Sequence, residues 1–188
     1  KNSWLLSSSN NIPINGAFIK TIVTSELGRD IAESYGVETF DTLTGFKYIA
    51  ELMKLFEEDK SHEFLFGYEE SYGYLSGTFV RDKDAVIASV LICEMAAYYK
   101  RKNVILLDVL EKIYKEYGYY KEETLSLNFS GAAWQNKIKA IMEYFRENKL
   151  CSLAGKNIPI VYDYKMGIAS NLVNGKIEKV NYPKSDVL

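Results

Sequence analysis

Histidine, cysteine and proline are scarce in this 188-residue sequence, which contains one, two and three copies of them respectively. With His62 as the only histidine, no Cys-x-x-Cys pair and no cluster of metal ligands around His62, the sequence offers no metal-binding pattern. The two cysteines, Cys93 and Cys151, are isolated from one another in the sequence. This cysteine usage favours a reducing compartment, and we expect a cytoplasmic protein.

Long apolar runs and a strong excess of one charge are also missing. The most apolar stretch, residues 85–99, includes Glu94 and is too short for a membrane span, which needs about 20 apolar residues. It predicts a buried helix. The formal net charge is -2, and the one dense basic run, residues 100–102, lies where a predicted helix ends. We therefore expect neither a membrane segment nor a nucleic-acid-binding surface.

The composition is that of a folded globular protein, with 47% hydrophobic and 26% charged residues. The length allows one large domain or somewhat more, since domains usually hold about 100 to 150 residues. The sequence starts at Lys1 without an initiating methionine, and we expect a fragment of a longer protein. No sustained apolar segment precedes the polar tract at residues 7–11, so no signal peptide is predicted.

Strand-like and helical patterns alternate over the first part of the chain. Apolar and β-branched runs at residues 17–23, 37–40 and 64–66 predict strands, and amphipathic helical patterns follow the first two. A loop is expected from Gly67 to about Asp82, followed by two further helices. This alternation favours an α/β fold, with a mainly parallel sheet and flanking helices.

The pattern changes after Gly118. Residues 124–129 alternate polar and apolar side chains as a half-exposed strand does, and a helical pattern follows. Residues 158–161 predict a strand, and Asn174-Gly175 predicts a two-residue hairpin turn between two more strands. The apolar face of the predicted helix consists of Ile138, Ile141, Met142 and Phe145.

We place a domain boundary near Tyr117. It divides the chain into an α/β domain of residues 1–117 and an incomplete α+β domain of residues 118–188. The sequence contains no internal repeat.

The densest polar segment is Gly67-Tyr68-Glu69-Glu70-Ser71-Tyr72-Gly73, which directly follows a predicted strand. Its glycines allow sharp turns, and the residues between them offer two carboxylates, a hydroxyl and two aromatic rings. Ligands of open α/β sheets bind beyond the carboxyl ends of the strands, and carboxylates accept hydrogen bonds from vicinal sugar hydroxyls. The segment predicts a ligand-binding loop, although a solvated acidic turn is the alternative for a motif of this size.

Three segments, in one order, resemble the α-D-phosphohexomutases, the phosphoglucomutase/phosphomannomutase family. Residues 69–73, Glu-Glu-Ser-Tyr-Gly, are similar to the sugar-binding loop of that family's third domain. Residues 81–84, Arg-Asp-Lys-Asp, stand where phosphoglucomutases carry Arg-x-Lys-Asp. Residues 42–47 resemble a Thr-Pro-Thr-Gly-aromatic-Lys loop, with Leu43 in place of the proline. The resemblance covers residues 15–117.

The resemblance implies a part of an enzyme that interconverts hexose 1-phosphate and hexose 6-phosphate through a phosphoserine and a bisphosphate intermediate. It implies that Glu69 and Ser71 bind the sugar O3 and O4, and that Lys83 lies near the phosphosugar, where its ammonium can complement phosphate or assist proton transfer. A surface ion pair of Lys83 with Asp82 or Asp84 is the alternative. The implied substrate-binding residues are Glu69, Glu70, Ser71, Lys83, Thr44 and Gly45.

One residue departs from the family pattern, because Tyr68 separates Gly67 from Glu69 and makes the loop entry one residue longer. The segment around Ser25 corresponds weakly to another strand-end loop that faces the family's cleft. The backbone path at the loop entry is left open by the sequence.

Three loops of the family do not occur in the sequence: the phosphoserine loop Ser-His-Asn-Pro, the magnesium loop Asp-x-Asp-x-Asp-Arg and the phosphate-binding loop Arg-x-Ser-Gly-Thr. The resemblance therefore implies that domains 1 and 2 and the rest of domain 4 complete the parent enzyme, together with magnesium and a glucose-1,6-bisphosphate primer. Glucose or mannose 1- or 6-phosphate is the implied ligand. We expect the fragment to bind no cofactor and to be inactive alone.

Two other functions remain open. The chain can be a free-standing carbohydrate-binding or regulatory module that kept the sugar loop without catalysis. A different α/β ligand-binding domain, such as a nucleotide binder, is disfavoured because neither Gly-x-Gly-x-x-Gly nor Gly-x-x-x-x-Gly-Lys-Ser/Thr occurs.

Overall fold

The computed structural model describes residues 12–123, 134–148, 151–153 and 155–188. They belong to two compact units, the first ending at Glu123 and the second beginning at Thr124. No helix within the described ranges is both long enough and apolar enough to cross a membrane.

Strands and helices alternate in the first unit. Its strands are β1 (Gly16–Thr21), β2 (Glu38–Thr42), β3 (Glu63–Tyr68) and β4 (Tyr74–Ser76). Its helices are α1 (Leu27–Ser34), α2 (Phe46–Asp59), α3 (Ala85–Arg101) and α4 (Leu106–Tyr117). The four strands form one sheet in the order β2-β1-β3-β4, in which β1 runs parallel to β2 and β3, and β4 runs antiparallel to β3. The predicted α/β fold with a mainly parallel sheet is confirmed.

The hydrophobic core of this unit lies between the sheet and α2. The amphipathic helix predicted after the second strand is confirmed as α2, and Ile49, Met53 and Phe56 are buried on one of its faces. They pack in one cluster with side chains of β1 and β3, including Ile19 and Phe64. Full burial of one such side chain stabilises a fold by about 1.5 to 3 kcal/mol, so this cluster fixes the sheet against the helix.

The helix predicted at residues 84–100 forms as α3, but the prediction that it is buried is wrong. None of its residues is buried, and Val86, Val90 and Ile92 are substantially exposed. Asp84 caps the helix by accepting hydrogen bonds from the amides of Val86 and Ile87 at 2.9 and 3.1 Å. The main contact of α3 within the unit is the short strand β4, which is too small to cover its apolar side chains.

The segment expected to be a loop from Gly67 to Asp82 contains a strand. In β4, Leu75 pairs with Gly67 and Tyr74 pairs with Tyr68, so the chain turns back along β3. A strand as short as β4 is too brief for alternation to be visible in the sequence. The amide of Asp84 then donates to the carbonyl of Tyr74 at 2.9 Å, which returns the chain to the carboxyl end of β3.

The second unit contains one helix and five strands within the described residues. They are α5 (Trp134–Glu147), β5 (Ser152–Leu153), β6 (Lys156–Asn157), β7 (Ile160–Asp163), β8 (Ile168–Asn171) and β9 (Ile177–Lys179). β5 pairs with β6, and β7, β8 and β9 form an antiparallel sheet. Arg146 of α5 donates from Nε to Oδ2 of Asp163 at 3.1 Å, which ties the helix to the end of β7.

The predictions for this unit have mixed outcomes. The helix is confirmed, whereas the two-residue hairpin turn at Asn174-Gly175 is wrong, because the connection between β8 and β9 runs from Leu172 to Lys176. Gly175 occupies a left-handed conformation in this longer turn, with φ of +74°. The strand predicted at residues 124–129 lies outside the described residues.

Candidate functional site

The carboxyl ends of β1, β2 and β3 lie at the same edge of the sheet, because these strands are parallel. The segments that follow them carry most of the polar residues singled out in the sequence. The segment that carries Lys83 returns to this edge through the hydrogen bond of Asp84 to Tyr74. We call residues 21–24, 43–45, 69–73 and 83 the strand-end cluster.

Glu69 is the most enclosed acidic residue of the strand-end cluster, with 5% of its surface exposed. Its Oε1 accepts a hydrogen bond from the amide of Gly45 at 2.9 Å, and its own amide donates to the carbonyl of Gly73 at 2.9 Å. The first bond reaches from the end of β3 to the segment after β2, although β1 lies between these strands. The described residues offer Oε2 no hydrogen-bond donor, so only one of the two carboxylate oxygens is held by the protein.

Two glycines make this close approach possible. Gly45 has φ of +124°, a conformation that residues with a Cβ rarely adopt. A Cβ on Gly73 would lie 2.7 Å from Cδ of Lys83 and 3.1 Å from Oε2 of Glu69. The loop and Lys83 therefore meet at Gly73, where a larger residue would force the side chain of Lys83 to move.

Glu70 points towards β1 instead of β2. Its Oε2 lies 2.9 Å from Oγ1 of Thr21 and 3.3 Å from Oγ1 of Thr24, and both hydroxyls can donate to it. Both threonines are buried. Neither threonine was recognisable as a site residue from the sequence, although both lie in the segment around Ser25 that weakly matched the family.

Ser71 and Tyr72 form the exposed tip of the loop. Tyr72 is 87% exposed and has φ of +64°, an unusual backbone conformation for a residue other than glycine. Thr44 is also exposed, and neither its hydroxyl nor that of Ser71 bonds another described residue. Strained backbone of this kind is concentrated at functional sites.

Lys83 forms the surface ion pair with Asp82 that the sequence left as the alternative to a ligand role. Its Nζ lies 3.0 Å from Oδ1 of Asp82 and 5.3 Å from the centre of the Phe46 ring, and half of its side chain is exposed. Hydrogen bonds from the backbone and side chain of Lys83 lower the pKa of Asp82. Since an exposed ion pair contributes only about 0 to 1 kcal/mol, a ligand phosphate can compete for this ammonium.

Lys20 is a further polar residue at this edge of the sheet, and the sequence alone did not indicate it. It is fully buried, and its Nζ lies 2.8 Å from Oε1 of Glu26, 2.9 Å from Oδ1 of Asp41 and 3.0 Å from the carbonyl oxygen of Thr24. Arg29, which lies on α1, forms ion pairs with the carboxylates of both Glu26 and Asp41. Burial alone would raise the pKa of Glu26, but hydrogen bonds from Lys20 and Arg29 outweigh it and lower the pKa.

Tyr68, the additional residue at the loop entry, is the last residue of β3 and pairs with Lys20 and Tyr74. Its ring packs against Phe18, with 5.4 Å between ring centres, and stacks on Tyr74 at 6.4 Å. Burial raises the pKa of its phenol to about 12. The extra residue therefore extends the strand and is held by packing before the loop begins.

The raised pKa of Tyr68 predicts a loss of stability in alkaline solution. The folded chain retains the phenol proton up to about pH 12, whereas the unfolded chain releases it near pH 10, so stability falls as pH rises between these values. At pH 11 this difference amounts to about 1 kcal/mol. Urea unfolding at pH 8 and pH 11 should show a loss in the wild-type chain larger by that amount than in Tyr68→Phe. Equal losses in the wild-type chain and in Tyr68→Phe would show that the pKa of Tyr68 is not raised in the folded chain.

No group of three or more histidine, cysteine, aspartate or glutamate side chains in the described ranges is arranged to hold a metal ion. In the strand-end cluster, Glu69 is bound to a backbone amide and Glu70 to two hydroxyls. The described residues therefore do not fit a magnesium site.

Comparisons with known proteins agree on one family. The model of phosphoglucomutase/phosphomannomutase, α/β/α domain III, matches residues 3–117. A phosphoglucomutase of Staphylococcus saprophyticus is 36% identical over 170 residues, which are 90% of this chain and 31% of the relative. One of Staphylococcus haemolyticus is 35% identical over 178 residues, which are 95% of this chain and 32% of the relative.

Among solved structures, the open form of the exocytosis-sensitive phosphoprotein pp63/parafusin from Paramecium, a phosphoglucomutase, is similar to 88% of this chain and 27% of its own. The sequence identity is 19% and the TM-score is 0.49. The chain spans about a third of the length of the two staphylococcal relatives.

Proposed function

Because the chain belongs to the phosphoglucomutase/phosphomannomutase family, through the α/β/α domain III that matches residues 3–117, we propose that it is the sugar-binding part of a hexose phosphate mutase. The complete enzyme interconverts hexose 1-phosphate and hexose 6-phosphate. In this proposal, domain 3 ends near Tyr117, and residues 118–188 begin domain 4. Domains 1 and 2 and the rest of domain 4 supply the phosphoserine and the remaining phosphate contacts, so this chain alone binds sugar but does not turn it over.

This proposal rests on the carboxylate of Glu69, in which only one of the two oxygens accepts a hydrogen bond from the described residues. The amide of Gly45 holds Oε1 at 2.9 Å, and Oε2 has no donor among the described residues. A carboxylate oxygen in this state accepts hydrogen bonds from adjacent sugar hydroxyls, and the nearby hydroxyl of Ser71 can donate or accept. O3 and O4 lie near the pseudo-twofold axis of the hexose ring, so contacts to them serve either orientation of the bisphosphate.

The neighbouring residues have separate roles in this proposal. Gly45 acts through Glu69, because its amide is already used to orient that carboxylate. The exposed hydroxyl of Thr44 remains for the ligand. Lys83 exchanges its weak pair with Asp82 for a phosphate oxygen and stabilises the charge that develops during transfer.

Magnesium and a glucose-1,6-bisphosphate primer belong to the complete enzyme in this proposal. When bound there, magnesium stabilises charge on the phosphoryl group being transferred. We assign none of the described residues to it, since their carboxylates form no metal-binding group. The cysteine usage of the sequence, with two cysteines and no Cys-x-x-Cys pair, supports a cytoplasmic location.

Titration of the isotope-labelled chain with glucose 1-phosphate tests the proposal. We expect binding on the order of 1 to 10 mM, because only one side of the ligand is contacted. The amide signals of Gly45, Glu69 and Lys83 should shift, whereas that of His62, at the opposite edge of the sheet, should not. Inorganic phosphate is the matched control and should shift the signal of Lys83 alone. Identical shifts with both ligands would show that no sugar hydroxyl is recognised.

A further inference from the structure

The two adjacent glutamates of the loop bond to different neighbours. Glu69 bonds the amide of Gly45 after β2, whereas Glu70 bonds the hydroxyls of Thr21 and Thr24 after β1. The loop after β3 is therefore joined to both of the other parallel strands through consecutive side chains. The resemblance placed both glutamates in the substrate-binding set, but their surroundings differ.

The hydrogen bonds between Glu70 and the two threonines are costly to break, because the threonine hydroxyls are buried. Thr21 is 0% exposed and Thr24 is 5% exposed, and their two Oγ1 atoms lie 2.6 Å apart. Only two hydroxyl protons serve the three oxygen–oxygen contacts in this group. The carboxylate of Glu70 is the final acceptor in this series of hydrogen bonds. Leaving a buried hydroxyl without its acceptor lowers the stability of the folded state.

The threonines form a rigid anchor for Glu70. The amide of Thr24 donates to the carbonyl of Thr21 at 3.0 Å, which closes a tight turn after β1. Nζ of the buried Lys20 donates to the carbonyl of Thr24 at 3.0 Å and to that of Thr21 at 3.4 Å. The turn is thus held through its backbone by Lys20, and its side chains are turned towards Glu70.

We propose that Glu70 is a positioning residue, which locks the sugar-binding loop onto the turn after β1 and makes no contact with the sugar. Its effect on ligand binding passes through Thr21 and Thr24, which hold the loop so that Glu69 and Ser71 are presented at a fixed place. The part of this inference that concerns the ligand rests on the proposed function. The part that concerns the anchoring of the loop does not.

Amide hydrogen exchange of the full 188-residue chain tests the anchoring directly. The amide of Glu69, which donates to Gly73, reports opening of the loop, and that of Ile19 in β1 reports opening of the core. In Glu70→Ala, exchange at Glu69 should be roughly tenfold faster, and exchange at Ile19 should accelerate by no more than the same factor, because the lost contact is absent from both the opened loop and the unfolded chain. Glu70→Gln retains an acceptor oxygen and should stay within about threefold of wild type.

A double-mutant cycle identifies the route of the effect. Thr21→Val combined with Thr24→Val should accelerate exchange at Glu69 as Glu70→Ala does, and adding Glu70→Ala should change it by less than about twofold. Additive effects, or no acceleration in Glu70→Ala, would overturn the anchoring. Glu51 is exposed, and its side chain bonds no other described residue, so Glu51→Ala is the control. In this variant the exchange rate at Glu69 should equal that of the wild-type chain.

Affinity for glucose 1-phosphate, measured on the same variants, separates this inference from the proposed function. Glu70→Ala should weaken binding severalfold in the wild-type background and leave it unchanged in the background without the threonine hydroxyls. An undiminished loss in that background would mean that Glu70 touches the sugar, which would overturn its assignment as a positioning residue. If the wild-type chain does not bind glucose 1-phosphate at all, the proposed function fails, while the exchange measurements still decide the anchoring.

Discussion

Replacing Lys20 with alanine should lower the free energy of unfolding by about 3 kcal/mol, since it breaks a buried ion pair and leaves a cavity. Lys20 is fully buried, and its ammonium lies 2.9 Å from Oδ1 of Asp41 and 2.8 Å from Oε1 of Glu26. We expect the lower part of the range known for buried pairs, because Arg29 still pairs with Asp41 and Glu26 is partly exposed. The measurement is urea unfolding at pH 7.

Two further variants separate the contributions to this loss. Lys20→Met retains most of the buried volume without the charge, so its difference from Lys20→Ala measures the cavity. Lys54 is the matched surface control, because its side chain is 71% exposed and its only described ion pair is with Glu58, at 3.5 Å. Lys54→Ala should cost no more than about 0.5 kcal/mol. Equal effects at the two lysines would show that the buried network does not stabilise the fold.

The α/β fold was predictable because local periodicity and tertiary packing agree in this chain. The apolar positions Ile49, Met53 and Phe56 recur at helical spacing, and the structure buries the same face against the sheet. The runs that became β1 and β3 are rich in β-branched and aromatic residues, which favour strands. The order of these elements along the chain then favoured parallel pairing.

Features that depend on long-range packing were not predictable. The burial of α3 was predicted from its composition, but burial depends on what covers a helix, and its main partner is the short strand β4. Lys20 is embedded in an apolar strand sequence, yet nothing local shows that Asp41 on the neighbouring strand meets its ammonium. The pairing of β4 with β3 is likewise set by the turn of the loop.

The grouping of the candidate residues at one edge of the sheet was predictable from the sequence, but the hydrogen bonds between them were not. The sequence identified Glu69, Gly45 and Lys83 on three separate segments, and the fold brings these segments to one edge of the sheet. It contained no signal that Glu69 bonds Gly45 across the end of β1, because the two residues are distant in sequence. It also gave Glu69 and Glu70 similar roles, since adjacent identical residues look alike until their neighbours are known.

Replacing Glu69 should impair both directions of the reaction in an intact mutase that carries this segment. A hydrogen bond to a charged group contributes about 1.5 to 3 kcal/mol, so Glu69→Ala should lower kcat/KM by roughly ten- to a few-hundredfold. Loss of the Gly45 contact adds to the effect, because the segments after β2 and β3 are then no longer joined by this carboxylate. Glu69→Gln retains the acceptor for Gly45 and should lose less.

The pattern of losses across substrates is more informative than their size. Glucose and mannose phosphates differ at C2, whereas Glu69 is proposed to bind O3 and O4, so the fractional loss should be similar for both sugars wherever the enzyme accepts both. It should also be similar from the 1-phosphate and the 6-phosphate, because O3 and O4 occupy equivalent places in the two orientations. Steady-state kinetics of the four combinations, with Glu51→Ala as the unaffected control, measure this pattern. A large loss for one sugar alone would place Glu69 at C2, and no loss for any would make the loop a solvated acidic turn.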